Sequence, residues 1–395
     1  MGLYLDLQQS EITDRFLSIS AVVAQGPTNA VLETVRSTYH LPGLAAARHR
    51  DNETKTNVRV VGVRKQGNDT PITPDDVFHL GSLTKAMTAT LVAILINDPK
   101  NNLTWDTTIP EAFPAILNLA PGYHRATIAM LGSHFAGIND TKLVESDLET
   151  WLALRNETVT PITGRGLVAK KALAAPPSTV PGSRFSYSNI GYMILGHLID
   201  THVCGGWEAY IQRRLWRPLG MTGCGFGPTP QRTPESVDNP WPHRPGDPEP
   251  IPVIPDRFSD NPPAVGPAGT VHCDIPSYSK FLGLHLRASL GQDSPILKAA
   301  AFARLHTPFV GNTTTNASTE ISYTPGGWIL QGPDPRVNGS YLVHDGSNTL
   351  NYAYAVVAPG AGEAYFTATN VGGEVGAGTG LNEVLIGFFD HTLGF

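Results

Sequence analysis

The segment that most limits how this chain can fold is residues 86–96, AMTATLVAILI. It carries no charge and is mostly apolar, with small residues interspersed, so as a helix it belongs in a core and not along a surface. Lys85 stands at its start, and Ser82 lies three residues earlier. A cation at the mouth of an apolar helix needs a partner or a task. One helical turn puts Ser82 and Lys85 on the same face, with about 5–6 Å between Cβ atoms. A serine hydroxyl is a poor nucleophile until a base accepts its proton. A buried lysine can be that base, because desolvation depresses its pKa towards neutrality. The amide donors and positive dipole end of the helix N-terminus favour the negative charge that develops near Ser82. Ser-x-x-Lys alone is common; the uncharged run behind it gives it weight.

Two further segments carry chemistry. Phe185-Ser186-Tyr187-Ser188-Asn189 leads into an apolar stretch at 189–202. A tyrosine at the entry to a buried helix can reach a cleft, and a nearby lysine cation would stabilise its tyrosinate. Tyr187 is thus expected to share the base role with Lys85 and to return a proton to the leaving group. Asn189 is expected to hold Lys85 and to donate to a substrate carbonyl. Val343-His344-Asp345-Gly346-Ser347 ends a predicted strand. Gly346 would let a substrate backbone lie along the strand edge, and the Ser347 amide could join that of Ser82 as an oxyanion hole. A histidine such as His344, taken alone, is usually a packed surface residue.

The rest of the chain supplies a frame. Residues 29–39 read as a helix, 44–48 and 58–63 as two strands, and 326–330, 341–344, 352–357 and 364–369 as four more. Residues 382–389 close with a helix, and 127–132, 144–154, 167–174, 189–202, 207–215 and 276–286 read as helices between. Residues 231–263 are rich in proline, lack periodicity, and read as a long surface loop or lid. The expected fold is α+β, an α/β sandwich: an antiparallel sheet flanked by N- and C-terminal helices, with an inserted all-helical lobe. Residues 1–80 and 270–395 form the sheet lobe and 81–269 the mainly helical lobe, and the cleft between lobes is where a site is expected.

Taken together, the three motifs resemble the serine β-lactamase and penicillin-binding-protein superfamily. Tyr187-Ser188-Asn189 is similar to the Tyr-x-Asn form of class C enzymes and D-aminopeptidase-like relatives. His344-Asp345-Gly346 is similar to the His-x-Gly form of esterases, peptidases and acyltransferases in the group. Leu41-Pro42-Gly43, the stretch 131–138 (LGSHFAGI), Pro181-Gly182 and Gly266-Pro267-Ala268-Gly269 extend the resemblance over about residues 28 to 390. It implies a β-lactamase/transpeptidase-like fold, with catalytic Ser82, Lys85 and Tyr187, an oxyanion hole at Ser82 and Ser347, and substrate contacts at Asn189, His344 and Gly346. His344 stands where true β-lactamases carry a lysine for the substrate carboxylate, which argues against antibiotic hydrolysis. Ser133 and Ala136 depart from the usual loop residues, and no counterpart of the class A deacylation glutamate is seen.

The expected activity is hydrolysis through a Ser82 acyl-enzyme of an ester, thioester, lactone or amide in a small molecule. The alternative within the family is acyl transfer to an alcohol or amine, as in fungal polyketide pathways. The alternative outside it is a non-catalytic recognition module, which would be expected to lose Ser82, Lys85 or Tyr187. No metal or cofactor is implied. A net charge of −6 without long charged runs argues against nucleic acid or anionic membrane as partners. No stretch of about 18 apolar residues suggests a spanning helix, and residues 1–25 lack a normal signal peptide. Asn-x-Ser/Thr triplets at Asn52, Asn68, Asn102, Asn139, Asn156, Asn312, Asn316 and Asn338 nevertheless suggest a secreted glycoprotein. Cys204, Cys224 and Cys273 show no metal spacing and are expected as buried thiols, or with one disulfide such as Cys204–Cys224.

Overall fold

Strand residues 44–47 read Leu-Ala-Ala-Ala, and their side chains alternate between two separate cores. The computed structural model describes residues 28–393 apart from 52, 54, 141–146 and 312–321. Helix α1 (Thr28–Thr38) leads into β1 (Gly43–Arg50), β2 (Asn57–Lys65) and β3 (Asn68–Pro71). Next come β4 (Val77–His79), a single 3-10 turn at Gly81–Leu83, and α2 (Thr84–Ile96). The helical insertion carries α3 (Pro161–Ala174), α4 (Asn189–His202) and α5 (Gly206–Ile211). Three short strands accompany these helices: β5 (Cys224–Phe226), β6 (His243–Arg244) and β7 (Ile251–Pro252). The chain returns through β8 (Val271–Asp274), α6 (Ile275–Ser289), β9 (Ile329–Asp334), β10 (Gly339–Ser347), β11 (Tyr352–Ala358) and β12 (Glu363–Thr369), and ends in α7 (Thr379–Phe389).

The main sheet is seven-stranded and antiparallel, in the order β3-β2-β1-β12-β11-β10-β9, so the first and last parts of the chain meet at the β1–β12 pair. Leu44, Ala46, Val343, Val356 and Tyr365 face one side, with Val31 and Leu32 of α1 and Leu381, Val384 and Phe388 of α7. Ala45, Ala47, Leu342, Ala355 and Phe366 face the other, in one core with Tyr278, Phe281 and Leu282 of α6 and the apolar residues of α2. Every residue of α2 from Thr84 to Leu95 is buried, as the uncharged run after Lys85 requires. Thr160 caps α3 with Pro161 at its first position, so that helix begins earlier than its apolar pattern suggests. Of the stretch expected as a helix at 144–154, residues 144–146 lie outside the described residues; a helix runs from Leu148 to Arg155.

A small sheet, β4-β8-β5, braces the floor beneath the N-terminus of α2. Cys224 and Cys273 oppose each other in its register and form a disulfide. This corrects both cysteine expectations: Cys204 is the free thiol and it is exposed. Pairing here depends on a strand register formed across 49 residues of separation, which no local spacing reports. The proline-rich stretch 231–263 runs over the surface with little regular structure, as expected, but it is pinned at several points. Trp241 and His243 are buried, and His243 bonds Leu350 and Asn370 across the end of the main sheet. The segment is therefore a strap, held by backbone hydrogen bonds that proline content does not preclude. Among the described residues no helix is long and apolar enough to cross a membrane.

Candidate active site

Ser82 sits in the 3-10 turn that feeds α2, one turn before Lys85. Lys85 Nζ lies 3.0 Å from Ser82 Oγ, 2.7 Å from Asn189 Oδ1 and 2.7 Å from the carbonyl of Ala268. A neutral amine has two N–H donors and one lone pair. With its donors on Asn189 and Ala268, the lone pair faces the Ser82 hydroxyl. Burial pushes the Lys85 pKa down to about 7, while the charges of Asp140 and Asp345 hold it up against a larger fall. Lys85 is thus poised to exist as a free base near neutral pH.

Tyr187 donates its hydroxyl to Ser82 Oγ at 2.7 Å. Burial raises this phenol well above its ordinary value, outweighing the hydrogen bond to Ser82. In this arrangement Tyr187 donates to Ser82, and Lys85 is the member of the pair whose pKa falls towards neutrality. The placement of Tyr187 comes from the start of α4. Asp140 accepts from Ser188 Oγ at 2.5 Å and from the amide of Asn189 at 2.6 Å, and Ser188 Oγ in turn accepts from the Gly191 amide. Burial raises Asp140 to about 6. His134 Nδ1 accepts from the Ser188 amide, and its ring packs 4.3 Å from that of Tyr187.

Two glycines let the strand and the nucleophile turn meet. Gly81 holds φ at +50°, and a Cβ there would collide with the Ser347 amide. A Cβ on Gly346 would overlap the Leu80 carbonyl and lie 2.9 Å from the Ser82 nitrogen. The backbone of β10 therefore passes directly against the start of the nucleophile helix, which brings the neighbourhoods of the Ser82 and Ser347 amides together.

A family profile described as Beta-lactamase matches residues 21–385. The chain belongs to the β-lactamase family. It is 27% identical to penicillin-binding protein 4 of Amycolatopsis lactamdurans over 90% of this chain and 87% of that protein. It is 27% identical to an unguisins hydrolase of Aspergillus campestris over 75% of this chain and 56% of that protein. Its fold is similar to an octameric penicillin-binding protein homologue from Pyrococcus abyssi, with TM-score 0.69, 19% identity, and 91% of this chain and 76% of that one covered. A class C β-lactamase matches with TM-score 0.65 and 17% identity over 91% of this chain and 94% of that one. The antiparallel sheet, its terminal helices and the mixed α/β architecture are those of the β-lactamase/transpeptidase-like fold, and the relatives include hydrolases.

Within that family setting, the structure brings Ser82, Lys85, Tyr187 and Asn189 to one point and sets Gly346 and Ser347 beside it. His344 is placed differently from the expected substrate contact. It is buried, its Nε2 pairs with Tyr323 Oη at 2.9 Å, and its Nδ1 pairs with the Asp345 carbonyl. Both ring nitrogens are engaged inside the protein, so His344 orders the back wall of the site. Burial lowers its pKa, which keeps it neutral. Tyr323 and Asp140 were not singled out from the sequence, and no pattern marked them. Ala268 and His134 lay inside segments already noticed, 266–269 and 131–138. Among the described residues no cluster of three or more His, Cys, Asp or Glu could hold a metal ion.

Proposed function

We propose that this β-lactamase-family member is a serine hydrolase that forms an acyl-enzyme at Ser82 and acts on a small-molecule ester, lactone, thioester or amide. The observation that carries the reading is the simultaneous seating of Ser82 Oγ on Lys85 Nζ and Tyr187 Oη. Neutral Lys85 takes the Ser82 proton as Oγ adds to the substrate carbonyl. The Ser82 and Ser347 amides receive the oxyanion, and the Asn189 amide group orients the substrate. As the tetrahedral adduct collapses, Tyr187 gives its proton to the departing heteroatom and is reprotonated from Lys85. Water then adds to the ester carbon as neutral Lys85 takes its proton; the C–Oγ bond breaks, the acid leaves, and the proton passes to Ser82 Oγ.

Ester-like or amide hydrolysis is favoured over β-lactam hydrolysis because His344 presents no cation to a substrate carboxylate. The similarity to an unguisins hydrolase supports hydrolysis over transfer. The test is a panel of short and long p-nitrophenyl esters, thioesters, D-amino-acid anilides and nitrocefin, with Ser82→Ala as control and fluorophosphonate labelling read by intact mass. A Ser82 adduct and turnover lost in Ser82→Ala are expected; turnover retained in that variant refutes the nucleophile.

The same proposal extends to passage through an oxidising secretory compartment. The Cys224–Cys273 disulfide supports it, and so do exposed sequon asparagines at 68, 102, 156 and 338. Asn52, Asn312 and Asn316 lie outside the described residues. Expression in a secreting eukaryotic host should give a chain whose mass drops on N-glycan removal; an unchanged mass refutes glycosylation.

A further inference from the structure

We propose that Asp260, on the proline-rich strap, is a positioning residue that keeps the two amide donors of the oxyanion hole in register. The inference rests on the reading of Ser82 as nucleophile and of the Ser82 and Ser347 amides as the hole. Asp260 and His79 are buried, and their side chains meet at 2.9 Å between Oδ2 and Nε2. His79 Nδ1 accepts from the Gly81 amide at 3.1 Å. An imidazole nitrogen that accepts carries no proton, so the His79 proton sits on Nε2 and is donated to Asp260. The line Asp260–His79–Gly81 therefore ends on Gly81, the positive-φ residue just before Ser82.

The second oxygen of Asp260 reaches the other donor. Asp260 Oδ1 accepts from Asn348 Nδ2 at 3.2 Å and from the Asn261 amide at 2.8 Å. Asn348 follows Ser347 directly, and its Oδ1 accepts from the Leu350 and Asn351 amides, closing the turn after β10. The Asp260 carbonyl accepts from Arg155, which fixes the strap itself. One buried carboxylate thus ties the backbone before one donor to the backbone after the other, from a segment remote in sequence from both. Oxyanion donors act through geometry set in advance, and displacements on the order of 1 Å cost heavily in rate.

The test compares Asp260→Asn and Asn348→Ala in the purified full chain, with Ser82→Ala as reference, on whichever ester the panel shows to turn over. The expected result is that kcat and the rate of fluorophosphonate labelling fall together by about tenfold to a hundredfold, with KM within about twofold. The folded fraction at the assay temperature, read by thermal unfolding, stays near one. Folded variants with both rates within about twofold of wild type overturn the proposal, as does a lowered unfolding midpoint with unchanged rate per folded molecule. If Asp260→Asn fails to fold, Asn348→Ala, which removes the donor to Asp260 together with the Oδ1 acceptor of the turn after β10, decides by the same criteria. Turnover that persists in Ser82→Ala would instead overturn the underlying nucleophile assignment.

Discussion

Lys85 and Arg165 are both withdrawn from solvent, yet the protein surrounds them in opposite ways. Arg165 on α3 makes paired bonds of 2.7 and 2.8 Å to Asp200 of α4 and of 2.7 and 2.9 Å to Glu208 of α5. Burial pulls its pKa down, but the two carboxylates more than offset this and the net shift is upward. Lys85 is met by three neutral atoms, and for it burial wins, bringing the pKa to about 7. A buried charge with carboxylates in contact is a fixed clamp for three helices. A buried amine with only dipoles in contact is a proton acceptor held ready.

The sharpest way to break this contrast is to replace each cation by a methionine of similar length. Lys85→Met should lower kcat/KM by on the order of 10²–10⁴-fold, the range over which a positioned base contributes. At pH 7 its unfolding free energy in denaturant should stay within about 1 kcal/mol of wild type, because the lost hydrogen bonds are offset by relief from burying an amine. Arg165→Met should do the reverse. It strands Asp200, whose carboxylate is buried, and should cost about 3–5 kcal/mol of stability with little change in rate per folded molecule. An Arg165 variant as stable as wild type, or a Lys85 variant as active, would erase the distinction.

The pH dependence separates the two sites more gently. Only the neutral form of Lys85 can accept the Ser82 proton, so the rate should fall about tenfold per pH unit below about 7. For stability the sign follows from a folded pKa depressed below the unfolded value of about 10.4. Between these values the unfolded chain binds more protons, so the Lys85 contribution to unfolding free energy rises with pH, by at most about 1.4 kcal/mol per unit. It is complete above the unfolded pKa and lost as pH falls through about 7. Arg165 stays charged throughout and adds no slope. Denaturant titrations of wild type and Lys85→Met across this range should diverge accordingly; parallel curves would place the titrating group elsewhere.

The contrast also marks what the sequence could disclose. Lys85 was legible because its helix has no other charge and because Ser82 is one turn away, a relation that local periodicity reports. Strands β1, β2, β10, β11 and β12 were legible as short β-prone runs, whereas β3 was not expected and β9 begins at Ile329, three residues later than its expected start. Arg165 was not legible, since its partners lie 35 and 43 residues along the chain on helices whose mutual packing only the fold defines. Asp140, Asp260 and the Cys224–Cys273 pair share that character: each depends on a long-range register. His344 shows the complementary error, where a motif position was read as facing substrate although the pleat turns its ring towards Tyr323.

The smallest expected effect tests the electrostatics of the amine directly. Asp345 lies on β10 next to Gly346, and its charge raises the pKa of both Lys85 and Tyr187. Its carboxylate accepts from Tyr352 Oη at 2.7 Å, a bond that an asparagine oxygen can still accept, and the His344 bond is to the Asp345 backbone, which no substitution removes. Asp345→Asn therefore removes charge with little change of shape. With that charge gone, the ammonium of Lys85 is less favoured and so is the neutral phenol of Tyr187. Both limbs of the kcat/KM profile should move to lower pH together. A structural disturbance that let water in would act differently: rehydration would raise Lys85 and lower Tyr187, drawing the limbs towards each other. Limbs that converge, or an acid limb that moves up, would mean that Lys85 is not governed by the balance of burial and distant carboxylates that sets it apart from Arg165.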